Sequence, residues 1–374
     1  MLAFVPHSFY SGAMSLPPPD PKLRLKARGA AANPDGRFER ERRAAEHDGW
    51  DIPEDARLLR TEITLENPRR IITRNDSPDV PFDRSINPYR GCEHGCIYCF
   101  ARPSHSYLGL SPGLDFETRL TAKPQAAERL AAELRAPSYK VAVMAMGTNT
   151  DPYQPIERDQ AITRRILTVL SDFNHPVAMV TRGATILRDL DLWASLASRG
   201  LATVGVSITT LDADLARALE PRAPSPATRL RMIRDLAGAG VPVRVMAAPM
   251  IPVLTAHELE AILTAAREAG ATAASTIPIR LPHEVAPLFR DWLARHRPGM
   301  ADHVMTRINA IRGGRDNDPR FGSRMRGEGV EADLMRARFQ IAARRLGFPG
   351  HAPLRTDLFR VPPMPGDQLD LFAR

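Results

Sequence analysis

The sequence has little cysteine: three residues in 374, all within the eight positions from Cys92 to Cys99. No scheme of paired disulfides explains so tight an odd cluster, which excludes the disulfide-stapled secreted scaffolds. Long apolar runs are also missing. The longest are short stretches such as Val141 to Gly147, far below the roughly 20 residues of a membrane helix, so membrane spanning is not expected. Met1 to Leu16 lacks a basic start followed by a continuous apolar stretch. It does not read as a secretory signal, and the cytoplasm is the expected compartment. No solenoid-type repeat is found.

What is present suits a globular enzyme. A hydrophobic content of 43% can build a real core, enough for one large catalytic domain with extensions or for two ordinary domains. Lys and Arg outnumber Asp and Glu by 51 to 43, giving a net charge of +8, a weak preference for an anionic partner such as nucleic acid. Residues 1–55 carry Pro17, Pro18 and Pro19 and a basic stretch from Lys22 to Arg28 without hydrophobic periodicity. They read as a disordered basic arm, either solvated or binding phosphate.

From about Ala122 onward, short β-rich runs alternate with amphipathic segments of helical length, the pattern of repeated βα units. Strands are expected at Tyr139–Met146, Val177–Thr181, Thr203–Thr209, Val243–Ala248 and Thr272–Pro278. Thr255 with Glu258 reads as a capping box, Ser225-Pro226 as an N-cap with proline at N1, and Gly200, Gly240 and Gly270 as helix ends. The result is an α/β fold with a parallel sheet, open or partly closed into a barrel, whose chemistry collects at the carboxyl ends of the strands. Residues 56–298 form the expected core. Residues 299–374 form a C-terminal extension, with an Arg/Gly-rich loop at Arg312 to Gly329, a helix at Val330 to Leu346 and an extended Pro-rich end.

Cys92, Cys96 and Cys99 are spaced C-x3-C-x2-C on a loop that follows the extended stretch Ser85–Tyr89. Thiolates are the ligands that iron–sulfur iron prefers, and a short loop can direct three of them to one cube. Three ligands leave one iron of a four-iron cluster open to a further molecule. A structural zinc site is the alternative, with His94 or His105 as fourth ligand, although no second knuckle of ligands exists.

The triplet, with Tyr98 before its last cysteine, resembles the signature of the radical S-adenosylmethionine (radical SAM) superfamily. The longer stretches Ile86-Asn87-Pro88-Tyr89-Arg90-Gly91-Cys92, Tyr98-Cys99-Phe100-Ala101-Arg102, Gly147 to Glu157 and Ser207-Ile208-Thr209-Thr210 resemble its spore photoproduct lyase-like branch, over roughly residues 60 to 280. The resemblance implies a partial (β/α)6 barrel and a [4Fe–4S] cluster on Cys92, Cys96 and Cys99. It further implies reductive cleavage of S-adenosylmethionine to a 5′-deoxyadenosyl radical that abstracts hydrogen from the substrate. An electron donor such as flavodoxin or ferredoxin goes with that chemistry.

By the same resemblance Tyr98 lies at the cofactor, Gly147, Asn149 and Asp151 face the methionine amino group, Arg182 the methionine carboxylate and Ser207 the ribose. Glu220-Pro221-Arg222 is recurrent in this branch without an assignable role. One departure stands out. The lyase has a further cysteine near the second strand as hydrogen donor, and here that stretch reads Met144-Ala145-Met146-Gly147-Thr148, so a different substrate is expected. Tyr107 or Tyr153 is a conceivable relay.

Gln368-Leu369-Asp370-Leu371-Phe372 resembles the bacterial sliding-clamp-binding pentapeptide in every position, following a Pro-rich spacer. With the Arg-rich loop, it points to DNA rather than RNA, metabolite or protein, and to a lyase-like enzyme of DNA repair or modification. The alternatives are an RNA- or protein-modifying enzyme of the same superfamily, and a zinc-stabilised nucleic-acid-binding module without catalysis.

Overall fold

The computed structural model describes residues 23–24, 27–38 and 57–364. Its centre is a seven-stranded sheet. The strands are β1 (Ile72–Arg74), β2 (Arg84–Ile86), β3 (Met144–Met146), β4 (Val177–Thr181), β5 (Ala202–Ser207), β6 (Val243–Met250) and β7 (Ala273–Pro278). They lie side by side in sequence order. β2 to β7 are parallel, with Arg84 opposite Met144, Met144 opposite Val177, Ala202 opposite Val177 and Arg244 opposite Ala273. β1 pairs antiparallel with β2 at the edge. Six parallel strands with helical crossovers are the partial (β/α)6 barrel expected from the sequence.

Burial explains the order. Val177, Val204, Val206, Val243 and Val245 are fully buried, and removing such side chains from water contributes about 1.5–3 kcal/mol each. On α2 (Ile162–Asp172), Ile162, Ile166 and Leu170 recur at the helical spacing and face the same core. Of the expected strands, Val177–Thr181 has the expected limits, while Tyr139–Met146 shrinks to its last three residues. Its neighbours set that limit: β2 has only three residues, and the β4 ladder starts at Val177 opposite Met144.

Ser225 caps α4 (Pro226–Gly238) by accepting from the Thr228 amide at 3.3 Å, as expected. Gly200, Gly240 and Gly270 have φ of +70°, +78° and +107°, conformations that favour glycine. The Thr255–Glu258 capping box does not form. The Thr255 hydroxyl accepts from the Ile251 amide instead, and Glu258 accepts from the Leu211 amide at 2.7 Å and from the Thr210 hydroxyl.

Part of the expected disordered arm is packed. The Gly29 and Ala30 amides donate to the buried Glu117 carboxylate at 2.9 Å each, Leu114 donates to the Ala32 carbonyl, and Ser111 donates to that of Pro34. Ala30 and Ala31 are almost wholly buried. The segment orders because Glu117 would otherwise be buried with only Arg102 as partner.

At the other end of the chain, α8 (Gly329–Arg345) lies against α5 (Leu259–Glu268), tied by Arg338 to Glu260. Beyond it, His351 bonds Thr203 and Thr272, and Phe359 packs on Tyr139, Phe173 and His175. This closes the amino ends of the strands and leaves the carboxyl ends for the site. The pentapeptide Gln368 to Phe372 lies outside the described residues. Among the described residues no helix is long and apolar enough to cross a membrane.

Candidate metal centre and active site

The cysteine loop begins where a second, small sheet ends. Tyr89–Arg90 pairs antiparallel with Arg119–Ala122, itself parallel to Glu62–Leu65. The Cys92 amide then donates to the Phe116 carbonyl at 2.9 Å, and the Gly91 carbonyl accepts from Thr150 Oγ1 at 2.6 Å and Gln154 Nε2 at 3.2 Å. Gly91 has φ +75°, and a Cβ there would meet Leu120 Cδ2 at 2.6 Å and the Phe116 carbonyl at 2.8 Å. Glycine is required by conformation and space alike. Beneath the loop the Arg102 guanidinium gathers the carbonyls of Gly95, Cys96, Pro112 and Gly113 and the Glu117 carboxylate.

Cys92 and Cys96 are buried, Cys99 is partly so, and all three are free thiols. Burial, with Asp151 nearby, pushes the Cys92 thiol far up, and burial pushes Cys96 up to about 12 despite the attraction of Arg182. Arg182 Nη1 donates to Cys96 Sγ at 2.6 Å, and it also reaches Tyr98 Oη and Glu220 Oε1, each at 3.2 Å.

Glu220 is the hub that sequence reasoning left without a role. Its carboxylate is buried and meets Arg182 from β4, Arg229 from α4, the Tyr98 hydroxyl and Thr209 Oγ1 at 3.0 Å. Tyr98 Oη and Thr209 Oγ1 are 2.9 Å apart. Burial alone would raise the Glu220 pKa, but Arg229 and Arg182 hold it down at about 2. Tyr98 is forced upward, chiefly by burial. The role was invisible locally, because Arg229 is nine residues further on and Arg182, just past the end of β4, is 38 residues back.

Asp151 is the second hub. Oδ1 accepts from Thr181 Oγ1 at 2.6 Å and from the Tyr153 amide at 2.9 Å; Oδ2 accepts from the Arg182 amide at 2.9 Å and lies 3.3 Å from His94 Nδ1. Burial opposes its charge, yet His94, Thr181 and the Arg182 amide hold its pKa at about 2. With its oxygens so engaged, Asp151 fixes the end of β4, from which Arg182 projects. Gly147, at φ +86°, allows this crossing: a Cβ there would meet the Val180 carbonyl at 2.0 Å. Asn149 is held through its amide on Asn87 Oδ1 at 3.1 Å. Ser207 is buried at the end of β5, and its carbonyl accepts from Arg229.

The structure thus joins Cys96, Tyr98 and Arg182 directly, sets Asp151 behind them, and keeps Gly147, Asn149 and Ser207 at neighbouring strand ends. It separates the two tyrosines named as relays. Tyr153 is buried with its hydroxyl on Asp189 and Trp193, while Tyr107 is exposed beside Phe38.

These residues fit an iron–sulfur cluster by the chemistry of their donors. The buried thiols of Cys92 and Cys96 need cationic charge to ionise, and Arg182 is one cation in contact with one sulfur. Neither histidine completes a zinc site: His94 faces Asp151, and His105 Nε2 bonds the Arg119 carbonyl at 3.0 Å.

Comparison with known proteins agrees. Residues 86–266 match the family model of the radical SAM superfamily, whose members bind a [4Fe–4S] cluster and S-adenosylmethionine. The chain is 39% identical over 221 residues to the uncharacterized protein Rv2578c of Mycobacterium tuberculosis, covering 59% of this chain and 65% of that one. It is 28% identical over 167 residues to the uncharacterized protein MJ0683 of Methanocaldococcus jannaschii, covering 45% and 60%. The chain therefore spans about two thirds or less of these relatives' length. Among solved structures, a spore photoproduct lyase mutant aligns over 76% of this chain and 79% of its own, with a TM-score of 0.54 at 16% identity. Another such mutant, holding dinucleoside spore photoproduct, gives 0.53 at 15% over the same shares. By the family model, residues 86–266 are a radical SAM domain.

Proposed function

We propose that this chain is a cytoplasmic radical SAM enzyme acting on nucleic acid, with DNA as the favoured substrate, in repair or modification. The observation that carries the reading is three unpaired thiols on one loop at the carboxyl end of a parallel sheet, two of them buried and one of these held by a cation. Cys92, Cys96 and Cys99 hold the cluster, and Arg182, fixed by Asp151 and Glu220, offers a guanidinium to a carboxylate beside it. Gly147 and Asn149 line the place for the methionine amino group, and Ser207 that for the ribose. When bound, the reduced cluster and S-adenosylmethionine supply a 5′-deoxyadenosyl radical for hydrogen abstraction. The residues bury and orient.

The positive net charge and the fold shared with a lyase that holds a dinucleoside photoproduct support nucleic acid. The substrate differs from that photoproduct, because no cysteine exists beyond the three in the loop. The Arg-rich loop contributes less than its composition suggests. Arg312 is buried on the Pro278 and Ile279 carbonyls, Arg320 pairs with Asp318, and Arg324 pairs with Asp79.

The reading is tested by anaerobic reconstitution with iron and sulfide, followed by dithionite and S-adenosylmethionine. Formation of 5′-deoxyadenosine, increased by the right nucleic acid, is the expected result; iron-loaded protein giving none with DNA, RNA or alone would sink it. The pentapeptide Gln368, Leu369, Asp370, Leu371 and Phe372 is proposed to bind a bacterial sliding clamp. Deleting residues 368–372 should then abolish binding to purified clamp, and unchanged binding would remove that partner.

A further inference from the structure

Phe100 directly follows the last cysteine, and half of its surface is exposed, at 50%. The thiols that precede it are buried or partly so, while this large ring stays in contact with solvent. Arg280, two positions beyond β7 and so also at the carboxyl end of the sheet, stands over that ring with its guanidinium carbon 5.0 Å from the centroid. The polar contact of this guanidinium is Met325 Sδ at 3.0 Å, a weak acceptor. Arg280 forms no ion pair among the described residues. Asp79, the carboxylate that influences it, is taken by Arg324 and by the Gly322 amide at 2.6 Å. Desolvation and the neighbouring Arg324 act against its charge, and Asp79 acts for it from a distance. A second pair adjoins the first: Arg324 lies 4.5 Å over the ring of Phe321, which is 60% exposed.

We propose that Phe100 and Arg280 form a nucleotide clamp at the entrance to the site, in which an unstacked base lies on the open face of Phe100 and its phosphate meets Arg280. The inference rests on the nucleic-acid reading and narrows it to single-stranded or flipped-out nucleotides. Arg280 covers one face of the Phe100 ring, and the residue still exposes half of its surface to a planar partner. A base inside a duplex has both faces occupied by its neighbours and cannot reach that ring. Arg280 brings the charge a phosphate needs and the planar donor set that grips it. The exposed ring of Phe321 extends the same surface to a neighbouring base. A protein partner fits less well, since the unmatched group is a cation beside exposed rings rather than an apolar patch.

The test measures binding of a fluorescent single-stranded oligonucleotide, and of its duplex, to the reconstituted full chain and to Phe100→Ala and Arg280→Ala. Iron content and thermal melting establish that each variant is folded. The wild type should prefer the single strand, Phe100→Ala should weaken that binding roughly tenfold, and Arg280→Ala should weaken it and reduce the salt dependence by about one phosphate contact. Phe100→Leu, which keeps bulk without a π face, should not restore binding. Wild-type binding that the variants leave unchanged, or a preference for duplex, overturns the clamp while leaving nucleic acid as substrate. Failure of the wild type to bind either form, with S-adenosylmethionine still cleaved, overturns the nucleic-acid reading as well.

Discussion

Cys96→Ala protein, purified and reconstituted without oxygen, should emerge without the brown colour of an iron–sulfur cluster and form 5′-deoxyadenosine only at background level. One thiol in three is one ligand in three, and none of the neighbouring side chains can replace it. Arg182, the group in contact with Cys96 Sγ, is a donor only. His94 lies against Asp151, and His105 is bonded to the Arg119 carbonyl. The loss should not come from misfolding. Cys96 packs among Ile97, Tyr98 and Leu219, and exchanging a thiol for a methyl there removes little volume, so cluster-free wild type and variant should melt within a few degrees of each other. Iron analysis, the visible spectrum and melting together decide the matter. A variant that keeps wild-type iron and colour would show that Cys96 is not a ligand.

That the three cysteines hold something was legible from spacing, because three within eight residues fit no scheme of paired disulfides; the iron–sulfur cluster came with the resemblance. The strands were legible for a similar reason. Runs such as Val177–Thr181 are short, β-branched and bounded by turns, and the sheet they form buries one face fully and the other in part. What could not be read was any role set by distant partners. Glu258 sits three residues after Thr255 and looks like half of a cap, yet it bonds the loop at Thr210 and Leu211, some 47 residues away in sequence. The arginines of the 312–326 stretch resemble a phosphate-binding run, but Arg312 is a structural group whose donors fill carbonyls at the end of β7. Likewise Ala27–Phe38 has no periodicity of its own and orders on the buried carboxylates of Glu117 and Asp115. Composition reports none of these, since each depends on a charge buried elsewhere needing a partner.

Glu220→Ala should lower stability by about 3–5 kcal/mol, the usual cost of breaking a buried ion pair from one side. The residue is 2% exposed, and its removal leaves the buried Arg229 and the guanidinium of Arg182 facing each other without an anion. The Tyr98 and Thr209 hydroxyls lose their acceptor as well. Glu220→Gln, similar in size and still able to accept hydrogen bonds, should lose less; the difference between the two variants separates charge from shape.

Acid supplies an independent check. The Glu220 pKa falls from 4.5 to about 2 on folding, held down by Arg229 and Arg182 against the effect of burial, so its contribution to stability is fully present above about 4.5 and is lost as pH drops through about 2. Asp151, lowered from 3.8 to about 2, adds to the same decline. Wild-type stability should therefore fall steeply across that window, and Glu220→Gln, already without the charge, should fall less steeply and approach wild type at the acid end. Denaturant titrations at a series of pH values would show it. Parallel curves for wild type and Glu220→Gln would mean that the carboxylate is not the charged centre on which Arg182, and through it the Cys96 sulfur, depends.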